Sequence, residues 1–277
     1  MSIQTAPPRS PAKPTARRGD VLLRWWWVAV AALCVVGLLT YLMDEEKDPT
    51  KGKSVVWGDE FDGPIAWGET WTGDRTSAYA FQDRNPHWFK LDLLRPGAVT
   101  VAGGVATFTA RPTSYVLENG RTAWETGLLT TEYTPSDFKV RTGDYLEARV
   151  RLPREMGAWP ALWTWKEGGN EVDSFEFHPA HPHALELTNH VNRAMKQHTD
   201  RAAIKPGGWV TVGTYYGAES VEWYVNGHRV LADDTGVGKD WTAYPVLSLS
   251  VSDGTHHAAP ASQEPITFGA EYVRVYR

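Results

Sequence analysis

Residues 168–177 read GGNEVDSFEF, and their polar and apolar positions change phase together. Side chains of an extended strand alternate between its two faces. Glu171 and Asp173 therefore share one face with Val172 on the other, yet further along Phe175 and Phe177 take the acidic parity and Glu176 the apolar one. One extra residue between positions 173 and 175 restores both sets. The pattern thus predicts a β-bulge of the kind found beside active sites, with Glu171, Asp173 and Glu176 turned the same way. Short runs rich in β-branched and aromatic residues recur over 54–61, 98–110, 127–134, 143–153, 171–178, 209–216, 220–231, 245–252 and 272–277. Gly, Pro, Asn and Asp separate them at sandwich spacing, no stretch carries a convincing helical period, and no internal repeat is found. Val221, Trp223 and Val225 alternate into Asn226-Gly227, a two-residue hairpin signal. An all-β antiparallel sandwich is expected over 54–277.

The N-terminal part breaks this pattern. Residues 1–24 are rich in Pro, Ala, Ser and Thr and carry Arg9, Lys13, Arg17, Arg18 and Arg24 against a lone Asp20, a composition expected to stay disordered. The run Trp25 to Met43 holds no charge and would make about 28 Å of helix, close to the hydrocarbon thickness of a bilayer. Trp25, Trp26 and Trp27 gather at one end of it, as in an interfacial belt. Basic residues precede the run, while Asp44, Glu45, Glu46 and Asp48 follow it. The expectation is one transmembrane helix over 25–43, a cytoplasmic tail, a linker over 44–53 and an extracellular β domain. LLTYLMDEEK offers no small-x-small cleavage site, and a Leu precedes Cys34 inside a continuing apolar run, so an uncleaved anchor is expected over a signal peptide or lipoprotein.

Composition narrows the function classes. With 42% hydrophobic and 22% charged residues and a formal net charge of -5, the chain can bury a large core and has no basic stripe for nucleic acid. Its single cysteine, Cys34, excludes a disulfide framework and a Cys-based metal site from the β domain. Fourteen tryptophans are the strongest compositional signal, because few fall in the apolar run and flat aromatic faces suit sugar rings.

The three acids can do specific chemistry if the bulge is real. With one step removed, Glu171 and Glu176 stand four effective steps apart, roughly 13 Å between Cα atoms, and inward-leaning side chains bring their carboxyls to about 5 Å. Retaining glycoside hydrolysis uses such a pair about 5–5.5 Å apart, one group attacking the anomeric carbon while the other protonates the leaving oxygen. Asp173 between them would hydrogen-bond a neighbour and pull the three proton affinities apart. On spacing alone a solvated acidic face and a Ca²⁺ or Mg²⁺ site remain open. The histidines of HPAHPHALELTNH (178–190) sit among prolines and read as ordinary loop residues, His190 apart.

Upstream, MGAWPALWTW (156–165) places Trp159, Trp163 and Trp165 ahead of the acid strand. Gly157-Ala-Trp159-Pro-Ala-Leu-Trp163 followed by Glu171-Val-Asp173-Ser-Phe-Glu176 resembles glycoside hydrolase family 16, the laminarinase and β-glucanase group on the concanavalin A-like jelly roll. VVWGDEFDG (55–63), GDYLEARVRLP (143–153), WYVNG (223–227) and EYVRVYR (271–277) are similar to further strands of that family, so nearly all of 54–277 is covered. The resemblance implies Glu171 as nucleophile, Glu176 as general acid/base and Asp173 as helper, with β-1,3- or mixed-linkage glucan as the favoured substrate. It implies sugar contacts from Trp159, Trp163, Trp165 and His190, and Trp124, in a loop-like region, is a further candidate. No cofactor is expected for catalysis, though Glu60 and Glu271 match positions that can hold a structural Ca²⁺. TGLLTT (126–131), WVTV (209–212) and SLSVSDG (248–254) depart from the family pattern near the cleft, which leaves the reaction intact and unsettles laminarin specificity. A membrane-anchored transglycosylase that remodels envelope glycan and a lectin-like binder are the alternatives, and a monomer is expected.

Overall fold

In the computed structural model the described residues are 48–166 and 169–277, together with Trp26 and Val30. Those two are helical, but the rest of the expected tail and spanning segment lies outside the described residues. Among the described residues no helix is long and apolar enough to cross a membrane.

From Asp48 onward the chain is mostly extended. In order it forms β1 (Val55–Asp59), β2 (Asp92–Leu94), β3 (Val99–Ala102), β4 (Val105–Val116), β5 (Thr122–Thr126), β6 (Leu128–Thr130), β7 (Val140–Arg141), β8 (Tyr145–Arg151) and β9 (Ala158–Trp165). Then follow β10 (Val172–Phe177), β11 (Ala184–Asn189), β12 (Ala194–Thr199), β13 (Trp209–Tyr216), β14 (Val221–Val225), β15 (His228–Ala232), β16 (Thr242–Val251) and β17 (Ile266–Tyr276). One sheet runs β15-β14-β13-β8-β17-β4-β5-β2, with β1 on β17 and β3 on β4. The other runs β12-β11-β10-β9-β16-β6, with β7 on β16. Neighbours pair antiparallel except β2 with β5. This is the expected two-sheet sandwich.

Period-2 patterning explains most of it. On β8 the side chains of Leu146, Ala148 and Val150 are buried, and Val210 and Val212 of β13 and Val273 and Val275 of β17 match them. Phe175 of β10 reaches across to Phe268 of β17, ring centroids 6.3 Å apart, and Phe268 meets Phe108 of β4 at 5.4 Å. Each such ring, fully removed from water, stabilises by about 1.5–3 kcal/mol. The run at 98–110 is two strands, because Gly103 and Gly104 at φ 59° and 74° turn the chain back between β3 and β4. Asn226 and Gly227, at φ 51° and 82°, make the expected turn between β14 and β15.

β9 and β12 are among the strands without an alternating pattern. β9 is buried at nearly every position, with neighbours on both sides, so its apolar run has no polar phase. β12, the polar AMKQHT, is an outer strand whose Lys196 and Gln197 are exposed, a composition that discourages further pairing. The interior tolerates little extra bulk. A Cβ on Gly213 would lie 2.1 Å from Tyr145 Oη. Gly213→Ala is expected to cost about 1–3 kcal/mol, read as a fall of roughly 2–4 °C in melting midpoint per kcal/mol by circular dichroism.

Candidate active site

The register shifts where the sequence changes phase. Against β9, Asp173 pairs with Trp163 and Phe175 with Leu162, which leaves Ser174 as the extra residue. Against β11, Asp173 pairs with Thr188 and Glu176 with Glu186, again with one residue too many on β10. Beyond the bulge Phe175 and Phe177 enter the core while Glu176 lines the same groove as Asp173 and Glu171. The inserted residue is buried, and its hydroxyl lies 3.5 Å from Tyr216 Oη on β13 of the opposite sheet. From that sheet too, Trp223 Nε1 donates to the Asp173 carbonyl at 2.8 Å, so a core tryptophan holds the irregular backbone.

The groove encloses ≈ 390 Å³ on the face of β9, β10 and β11, closed by Trp88, Phe89 and Lys90 ahead of β2 and by His256 and His257 between β16 and β17. Trp159 Nε1 donates to Glu176 Oε1 at 2.7 Å. His190, in the turn just past β11, brackets the bulge: its backbone N–H donates to the Glu171 carbonyl at 3.0 Å and its Nε2 lies 3.1 Å from Asp173 Oδ2. Asn189 anchors that turn by donating to Asp233 at 2.7 Å and to the Gly236 carbonyl at 2.9 Å.

Burial pushes the carboxyls of Glu171, Asp173 and Glu176 upward. For Asp173, which is 3% exposed, the charge of Glu176 adds to that effect and the hydrogen bond to His190 opposes it. His190 and then Lys90 oppose it at Glu171; Lys90 and then the Trp159 hydrogen bond oppose it at Glu176. Three acids this close cannot all ionise freely. His190 is raised to about 9, chiefly by its hydrogen bond to Asp173. Asp173 and His190 thus both hold protons more tightly than usual. Burial also lowers His178 to about 2 and His257 to about 4.

Trp159, Trp163 and His190 of the sequence-derived set line the groove. Trp165 backs its wall, with Nε1 donating to Ser77 Oγ at 3.0 Å and its ring edge-on to Trp88 at 5.8 Å. Trp124 is a correction: it is 3% exposed on β5 within the hydrophobic core, because that segment is a paired strand and no loop. Glu60 accepts two hydrogen bonds of 2.7 Å from Arg274, and Glu271 is paired with Arg149. Missed in the sequence was Lys90, 8% exposed, whose ammonium lies over the rings of Trp159, Tyr79 and Trp163 at 4.6, 5.5 and 5.7 Å. Nothing local marks a lysine in PHWFKLDLL as a groove residue; Trp88 beside it was the available signal.

Two outcomes follow. Trp223→Phe removes the donor to a buried carbonyl and is expected to cost about 1–3 kcal/mol in urea unfolding. Because the folded His190 value of about 9 exceeds the ordinary 6.5, its share of stability is present below pH 6.5 and lost as pH rises toward 9. With the ring 43% exposed the effect is small, and a melting-midpoint series should show a decline over that window that His190→Ala lacks.

No protein-family model matches the chain. It is 26% identical over 234 residues to the endo-1,3-1,4-beta-glycanase EglC of Rhizobium meliloti, covering 81% of this chain and 48% of that protein. To a beta-glucanase of Rhodothermus marinus it is 25% identical over 276 residues, covering 85% and 89%. The chain spans about half the length of the Rhizobium relatives it matches. Among solved structures, an endo-beta-1,3-glucanase from Pyrococcus furiosus superposes with a TM-score of 0.66 at 23% identity, over 81% of this chain and 94% of that one. The laminarinase catalytic domain of Thermotoga petrophila gives 0.68 at 20% identity, over 81% and 98%. The chain thus shares the two-sheet sandwich of solved β-glucanases and laminarinases and is similar in sequence to named β-glycanases.

Proposed function

We propose that the chain is an endo-acting glycoside hydrolase that cleaves a β-linked glucan, of β-1,3 or mixed linkage, with retention at the anomeric carbon. The observation that carries this is the bulge at Ser174, which delivers Glu171 and Glu176 to one aromatic-walled groove. Glu176, held by Trp159 and kept protonated by burial, gives its proton to the departing glycosidic oxygen. Glu171 attacks the anomeric carbon as that bond breaks, and the facing charges of His190 and Lys90 favour its ionised form. Glu176, now a carboxylate, takes a proton from a water that releases the sugar from Glu171. Asp173 and His190 hold the charge between them. The names of the sequence relatives support a glucan substrate, and Trp159, Trp163 and Trp88 line the groove that would receive it.

The charge pattern around residues 25–43 supports a membrane-anchored enzyme with its catalytic domain outside. If a second sugar intercepts the glycosyl-enzyme in place of water, the same residues perform transglycosylation. A lectin-like binder would have no need of two glutamates held about an aspartate in this way.

Glu171→Gln is expected to abolish release of oligosaccharides from mixed-linkage glucan while oligosaccharide binding persists, and proton NMR of the wild-type reaction should show the β-anomer first. Unchanged turnover in that variant, or the α-anomer first, would refute the assignment. Glu176→Gln should slow hydrolysis by roughly 10²–10⁴-fold on substrates with poor leaving groups. It should also stabilise the fold. A carboxyl whose folded pKa is raised loses its stabilising contribution as pH rises through that value, so the Gln variant should melt higher at pH 8 and equal to wild type at pH 4.

A further inference from the structure

Beside the three acids the groove carries a second cluster that the proposed hydrolysis does not use. His178 lies two positions beyond Glu176, just past the end of β10; Glu186 on β11 is in register with Glu176; His257 comes from the segment between β16 and β17. One donor atom from each falls within 4.8 Å of the others. The two imidazoles stack with centroids 3.3 Å apart, and Trp159 meets them edge-on at 5.1 and 4.8 Å. His178 is 3% exposed, yet neither of its ring nitrogens has a hydrogen-bond partner. Nearly every buried polar side chain in a protein is paired, so an imidazole with both nitrogens unpaired, set against a second imidazole and a carboxylate, points to a ligand.

We propose that His178, Glu186 and His257 bind a single zinc-class transition-metal cation at the side of the groove. Two imidazoles and a carboxylate are a donor set zinc accepts, and three protein donors leave a fourth position free toward the groove. Both rings are neutral at pH 7 and so keep the lone pairs that coordination requires. Zinc bonds of about 2.0–2.2 Å place tetrahedral donors roughly 3.3 Å apart, so the cluster closes by up to about 1.5 Å and the stacked rings turn their edges to one point. His257, on a connection without strand pairing, is the member free to make that adjustment. The histidine-rich run after β10 does not supply the site alone: His183 is engaged with the Ile204 carbonyl at 2.9 Å, and the second imidazole comes from far along the chain.

The test is titration of the full-length chain, prepared without a histidine tag, with ZnCl₂ by calorimetry and with CoCl₂ by visible absorption. One cation per chain is expected, with the cobalt bands of a four- or five-coordinate centre. His257→Ala and Glu186→Ala should each weaken binding at least about tenfold, and His256→Ala should leave it unchanged. His178→Ala is set aside because it hollows the core, and circular dichroism confirms that the other variants fold. Absence of binding, or binding indifferent to His257→Ala, overturns the proposal. Binding that survives His257→Ala and disappears in Glu171→Gln places the cation on Glu171, Asp173 and His190 and overturns it equally. Because the readout is cation binding, a negative result leaves the proposed hydrolysis standing.

Discussion

Extended backbone alternates its side chains, and an unbroken strand through residues 171–177 would turn Phe175 into the groove and bury Glu176 in the sandwich. The extra residue at Ser174 reverses both, and it can persist because neighbours on each side accept it. β9 and β11 both slip by one position there, while Trp223 and Tyr216 of the opposite sheet hold the displaced backbone and hydroxyl. The irregularity is thus tied into the core, whose packing against Phe268 depends on the same reversal that presents Glu176.

Gathering three carboxyls on one buried surface is unfavourable, and the surrounding residues show how the fold accommodates it. Two cations face the cluster from separate elements: His190 from the turn after β11, bonded to Asp173, and Lys90 from the loop before β2. Lys90 is held against aromatic faces rather than by a carboxylate within ion-pairing distance among the described residues, which suits a charge that must stay near the acids without neutralising one of them. Trp159 links the two arrangements, since its indole N–H bonds Glu176 while its ring faces Lys90 on one hand and the stacked His178 and His257 on the other.

Where alternation was intact, elements could be read from residues alone. β8, β13, β14 and β17 carry one buried and one more exposed face and were legible, as was the Asn226-Gly227 turn, whose backbone conformation few other pairs adopt. β9 was recognisable by its tryptophan motif and not as a strand, because burial on both faces erases the period. Trp124 shows the converse error: tryptophan serves core and sugar site alike, and only its partners tell which. Glu60 and Glu271 likewise take arginine partners that lie far away in sequence or across a strand pair.

What the amino-acid sequence determined by itself is the local part: a two-sheet β fold, a phase slip at one strand, and three acids re-aimed by it. These follow from side-chain periodicity, which is a property of neighbouring residues. Tertiary structure decided everything that depends on distance through space. It brought Lys90, His190 and His257 from three separate connections to the same groove, set the proton affinities through burial, and withdrew Trp124 from the surface. Electrostatic and packing energies depend on separations of a few ångströms between residues far apart in the chain, and no pattern along it encodes them locally.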